Sequence, residues 1–167
     1  MIMEYNQKAS QQKLVTYTEA KKRLERYCIY QDRCHKEVEQ KLREFRLIPE
    51  VIEKIIIHLI EHKFLDETRF AQSFARGKFR TKHWGKRRIV NELKQRHISE
   101  YNIKKSLKEI TEEDYINSFH KLSEKRWKQL KEDPVQRAKQ KFVQYLQYRG
   151  WESHLIFEKL SELTATK

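Results

Sequence analysis

Glycine and proline are scarce, at three and two residues in a chain of 167, which leaves little material for hairpins or tight loops. The two cysteines, Cys28 and Cys34, are too few for a disulfide framework and fit a reducing compartment. No run of 18 or more apolar residues occurs, and the first residues lack a hydrophobic signal segment, so a soluble, cytoplasmic chain with no membrane partner is expected. A glycine-rich phosphate loop and a G-x-S-x-G elbow are both missing, as is any pair of carboxylates that spacing singles out. The expectation is a protein that is not an enzyme and needs no cofactor.

Helix formers and positive charge are abundant. High Glu, Lys, Gln, Arg and Leu content points to helices nearly throughout, and the formal net charge is +13. Most of the excess sits in residues 65–110, with 13 Lys and Arg against 5 acids. Its centre is RGKFRTKHWGKRRIVNELKQRHI at 76–98, where nine cations face a single acid, Glu92. So many like charges repel one another, and an anionic partner relieves that repulsion. The candidate contact surface is Arg76, Arg80, Lys82, Trp84, Lys86, Arg87, Arg88, Lys94 and Arg96. Phe79 and Trp84 lie among the cations, suited either to stacking on bases or, for Trp84, to packing against Gly85 and the helix after it.

Taken in order, residues 1–15 are polar without clear period and read as a flexible arm. Thr18 is expected to cap a first helix carrying Ala20, Leu24, Tyr27 and Cys28 at helical spacing. Helices over 35–46 and 49–62 follow, the second with Pro49 in its first turn. Asp66 is a natural cap for a helix with Phe70, Ala71, Phe74 and Ala75 on its buried stripe. The helix at 111–130 reads as a spacer with a solvated charged face, leading into the third module.

Internal repetition is the strongest signal. From Val38, steps of 4, 9, 14 and 18 give Leu42, Leu47, Ile52 and Ile56. The same steps from Ile89 give Leu93, Ile98, Ile103 and Leu107, and from Phe142 they give Leu146, Trp151, Ile156 and Leu160. All fifteen positions are apolar in a chain that is only 38% hydrophobic. Steps of 4 keep residues on one helical face, and the step of 5 spans a short turn. With a helix before each pair, the chain divides into an N-terminal arm at 1–15 and three-helix units at 16–64, 65–110 (basic) and 111–167 (with the long helix). The fold class expected is all-α, three tandem three-helix repeats in an elongated, curved array.

In RCHKEVEQKL at 33–42, FLDETRFAQSF at 64–74, WGKRRIVNELKQRHI at 84–98 and YLQYRGWESHLI at 145–156, the chain resembles the RecX family of bacterial regulators of the RecA recombinase. The match runs from about Ala20 to Leu160, and the family is similar in being built of tandem three-helix repeats. That family often has Ser where Cys34 stands, and Gly where Lys63 and His97 stand. The Gly positions are helix C-termini, where a left-handed residue is expected and Gly150 keeps the pattern; Lys or His there costs up to about 1 kcal/mol. The resemblance implies an interaction protein that lies along the groove of the RecA–DNA filament and damps its ATPase, strand exchange and co-protease activities, and with them the SOS response; a monomer is the simpler expectation because the repeats bury their own faces. The partners implied are the RecA filament and DNA, single- or double-stranded.

Two other chemistries compete. A stand-alone DNA-binding protein could use Lys86, Arg87, Arg88, Lys94 and Arg96 on phosphates, because three-helix modules resemble helix-turn-helix units in outline. HLIEH at 58–62 fits the H-x-x-E-H zinc-hydrolase pattern through His58, Glu61 and His62. A third ligand and a cleft are lacking, and Ile55, Ile56, Leu59 and Ile60 explain the segment as a packed helix, so no metal site is expected. Cys28, Cys34 and His35 lack a second ligand pair at suitable spacing, and the two cysteines read as buried or half-buried free thiols.

Overall fold

The computed structural model describes residues 15–165. Its helices are α1 (Tyr17–Tyr30), α2 (His35–Arg43), α3 (Pro49–Glu61), α4 (Glu67–Lys82), α5 (Lys86–Gln95), α6 (Glu100–Leu107), α7 (Glu112–Gln129), α8 (Val135–Tyr148) and α9 (Ser153–Ala165). No strand occurs among the described residues. Almost all of the expected N-terminal arm, residues 1–14, lies outside the described range.

Helix starts follow side-chain chemistry. Asp66, Ser99 and Thr111 each accept a hydrogen bond from a backbone N–H three residues on, and Pro49 opens α3, where its missing N–H costs nothing. The first cap differs from the expectation. Thr16, not Thr18, caps α1, because Thr16 and Glu19 exchange hydrogen bonds in a reciprocal capping box that Thr18 has no partner to form.

Three helices pack into each bundle: α1–α3, α4–α6 and α7–α9. Of the fifteen repeat positions, ten are buried, and Leu47, Ile52, Ile56, Leu107 and Leu160 are half-buried against the same cores. Arg46, His97 and Gly150, each eight residues after a repeat start, turn the chain out of their helices at φ of 54°, 60° and 82°. Lys63, after α3, sits at 58°. The left-handed turns expected at Lys63 and His97 are thus made without glycine.

The cores divide unequally. The first bundle has its own, built on Ala20, Leu24, Val38, Leu42, Ile55 and Leu59. The second and third share one continuous core running from Phe70 to Ile156. The helix read as a spacer is therefore structural. Tyr115, Phe119 and Leu122 of α7 are buried in that shared core, and the Tyr115 and Phe119 rings lie 4.6 and 5.2 Å from Trp151. Buried Lys159 on α9 reaches Glu124 on α7 at 3.1 Å and Glu162 at 2.8 Å.

The first bundle meets the second mainly through polar groups. Asp32 accepts from Arg69 Nε and Ser73 Oγ, both at 2.8 Å, and Lys36 donates to the Gln95 carbonyl at 2.8 Å. Cys34 is the apolar exception, buried against the core of the second bundle. Among the described residues, no hydrogen bond or ion pair joins the first bundle to the third, so the bundles follow one another in an elongated array.

Candidate partner-binding surface

The basic stretch spans the end of α4, a turn and α5, and the turn is set against the third bundle. His83 leaves α4 in the left-handed region (φ 51°), which lets Gly85 approach the α8–α9 turn. The Gly85 N–H donates to the Arg149 carbonyl at 2.8 Å. A Cβ on Gly85 would lie 2.3 Å from the Gly150 oxygen, and one on Gly150 would lie 2.4 Å from Arg88 Cβ. Trp151, fully buried, donates from Nε1 to the His83 carbonyl at 3.2 Å.

Several of the expected contact residues are engaged by partners within the fold and are only partly exposed. Arg88 donates to the Tyr148 carbonyl at 2.7 Å, with its guanidinium 4.2 Å from the Trp84 ring and 4.4 Å from the Tyr148 ring. Lys86 pairs with Glu112 at 2.7 Å and stands 4.2 Å over Tyr115. Arg76 pairs with Glu109 at 2.8 Å. Arg96 bonds Glu92 at 2.8 Å, lies over Phe74 and reaches Glu37 of the first bundle at 3.9 Å. Each is a cation whose charge the fold itself uses.

Trp84 is half-buried beside Phe74, with Lys78 and Arg88 on its ring. This is the packed alternative, modified by two cations. Phe79 is only 8% exposed and lies against Tyr115, so it has no face to offer a base.

Arg80, Lys82, Arg87 and Lys94 remain exposed, and none has an ion-pair partner among the described residues. Arg87 and Lys94 are seven residues apart on α5 and so share one helical face. The nine residues do not form one patch. Arg80 lines a cleft against α7, whereas Arg87 and Arg88 line another with Gln147 and Tyr148 at the end of α8.

The residues of the zinc and thiol readings have other surroundings than those chemistries need. His58 Nε2 is 2.7 Å from the Glu25 carboxylate, and His62 Nδ1 is 2.9 Å from the His58 carbonyl. No group of three or more metal-ligating side chains comes together among the described residues. Both thiols are buried and free, and burial pushes Cys28 up to about 11, so neither is a ready nucleophile. No described helix is long and apolar enough to cross a membrane.

Two family models match the chain: the second three-helix domain of RecX over residues 66–107 and the third over 112–160. A regulatory protein RecX from Vibrio campbellii is 36% identical over 111 residues, covering 66% of this chain and 69% of the relative. The chain belongs to the RecX family. A regulatory protein RecX from Enterococcus faecalis is 32% identical over 141 residues, which is 84% of this chain and 53% of the relative. The chain thus spans about half the length of the first curated relatives it matches. A crystal structure of a regulatory protein RecX superposes with a TM-score of 0.76 at 27% identity, covering 87% of this chain and 73% of that one. That likeness extends the RecX reading to the first bundle, which the two family models do not reach.

Sequence reasoning missed the pairing of Gly85 with Gly150. Each was legible as a turn former, but their contact joins positions 65 residues apart, which no local pattern shows. It also missed the role of Tyr115, which accepts a hydrogen bond from the Lys86 N–H at 2.9 Å and donates one to Glu152 at 2.7 Å. The sequence offered 111–130 only as a spacer with a solvated face, and the fold alone reveals that Tyr115 is buried and what it bonds.

Proposed function

We propose that this RecX-family chain is a negative regulator of the RecA recombinase that binds along the RecA–DNA filament and lowers its ATP hydrolysis, strand exchange and co-protease activity. The observation that carries the reading is the set of exposed cations, Arg80, Lys82, Arg87 and Lys94, that have no ion-pair partner among the described residues, on an elongated array of repeats. An extended cationic surface matches a long anionic groove better than a small ligand does, and its charge steers association with a polyanion. The first bundle buries its apolar face in its own core and the second and third bury theirs in a shared one, all within one chain, so a single copy suffices. The two buried free thiols suit the reducing cytoplasm in which such a filament forms.

The test is an ATPase titration on RecA assembled on single-stranded DNA. Wild-type chain is expected to inhibit at less than one copy per recombinase. The Arg87→Glu and Lys94→Glu double variant, altered only at exposed positions, is expected to need at least tenfold more protein. Absence of inhibition by the wild type defeats the reading, and equal inhibition by the variant defeats the assignment of the α5 face.

A further inference from the structure

Another concentration of unpaired cations lies outside α5, at the meeting of the second and third bundles. The end of α4 and the side of α7 enclose a cleft of about 620 Å³. Arg80 and His83 stand on one wall, and Lys121 and Lys125 on the other. Lys128 continues the α7 row into an adjoining hollow, where Glu124 is the acid. In the main cleft the acid is Asp114, at the far end of the α7 face. Arg80, Lys121, Lys125 and Lys128 have no ion-pair partner among the described residues.

Next to this cleft is a demand for hydrogen-bond acceptors that the chain does not meet. Tyr145, which lines it, carries two guanidinium groups, Arg149 at 3.8 Å and Arg126 at 4.7 Å from the ring centroid. The Nε of each is buried without a hydrogen-bond partner among the described residues. Those Nε atoms are shielded from a ligand in the cleft, but the two guanidinium charges beside the row of free lysines add to the positive potential there and favour an anion.

We infer that the cleft between α4 and α7 binds the phosphodiester backbone of a single nucleic-acid strand. Three features favour this ligand over an acidic protein surface. The cations on α7 repeat about once per helical turn, roughly 4.5–6 Å apart along the axis, as a regularly charged chain requires. Asn117, Ser118 and Gln129 add neutral donors suited to phosphate and sugar oxygens. Of the large aromatic rings at the cleft, Phe79 is buried and Tyr145 already holds two guanidinium groups, which leaves the imidazole of His83 beside a mostly polar lining, so the strand is gripped chiefly by its backbone. A concave site of this volume takes a single flexible strand, which can bend into it, more readily than a stiff duplex. The inference deepens the proposed function, on which it rests for its biological setting, by naming the strand as what this side of the chain meets.

The test uses the full chain and a fluorescent oligothymidylate, with no recombinase present, so a failure of the RecA reading leaves its outcome untouched. Fluorescence anisotropy is followed across a salt series for wild type, Lys121→Glu with Lys125→Glu, and the milder Lys121→Gln with Lys125→Gln. All these side chains are exposed, and circular dichroism checks that helix content is kept. The expected result is a loss of at least tenfold in affinity for the Glu pair and, for the Gln pair, a log–log salt slope shallower by about 1.4, at about 0.7 per phosphate contact on a single strand. Variants that bind with wild-type affinity and slope overturn the inference. So does displacement of the oligonucleotide by polyglutamate as readily as by unlabelled oligothymidylate, which would make the partner an acidic protein, or tighter binding of duplex than of single strand.

Discussion

The Gly85 amide donates to the carbonyl of Arg149, and the Gly85 Cα faces the Gly150 carbonyl so closely that a methyl group would sit 2.3 Å from its oxygen. The obstacle is backbone, which cannot rotate aside. Gly85→Ala is therefore expected to destabilise the chain by about 1–3 kcal/mol, in the range of overpacked cores. Gly77 on α4 has open space around it, with nothing within 4 Å of where a Cβ would stand, and Gly77→Ala is expected to stabilise by about 0.5–1 kcal/mol. Thermal midpoints moving in opposite directions are the result to look for; a neutral Gly85→Ala would mean that the two bundles do not approach this closely.

The joint between the first two bundles should respond to acid. Burial alone would raise the Asp32 carboxyl, but hydrogen bonds from Arg69 and Ser73, with the charges of Arg69 and Arg76, hold it below the usual carboxylate range. A folded-state pKa below the unfolded one gives stability that is present above about pH 4 and lost as pH falls through the folded value. The stability difference between wild type and Asp32→Asn, from denaturant unfolding, is expected to be full at neutral pH and to shrink below about pH 4. Hydrogen exchange in Asp32→Asn should quicken in α1–α3 while α4–α9 keep their protection. Uniform acceleration across all the helices would contradict a joint held separately from the shared core.

Left-handed backbone at Lys63 and His97 carries a cost that glycine removes. At φ of 58° and 60°, a Cβ is disfavoured, and both side chains are exposed. Lys63→Gly and His97→Gly are each expected to gain up to about 1 kcal/mol in denaturant unfolding. Gly150→Ala, at φ 82° with Arg88 behind it, should lose stability instead.

Tyr115→Phe removes one hydroxyl and leaves the Lys86 N–H without its acceptor. The expected cost is about 1–3 kcal/mol, the desolvation penalty of an orphaned donor. Burial, outweighing the Lys86 N–H and reinforced by Glu152, drives the Tyr115 pKa far above that of ordinary tyrosine. Alkaline absorbance titration of the folded Phe variant should therefore match that of wild type over the range where exposed tyrosines ionise. A missing step in that range would place Tyr115 in solvent.

The bundles were readable from the sequence because each repeats the same apolar steps, and a side chain such as Leu93 or Phe142 declares its burial by local period alone. Helix starts at Asp66, Thr111 and Pro49 were readable for a similar reason, since a cap is decided within four residues. The contact surface was not. Arg80 and Arg88 look alike in the sequence, yet one stands free while the other is locked to Tyr148 and Trp84, a distinction set by residues 60 positions away. The role of α7 was only half legible, because a helix with mixed charges looks solvated until the partner of Tyr115 and Phe119 is known.

The unequal division of the cores gives the molecule a mechanical character. Bundles two and three are fused by oily side chains and behave as a single stiff lever, while bundle one hangs from that lever by a seam of ions and carbonyls that water can reach. Under tension applied along the chain the seam is expected to part before the lever loses its shape.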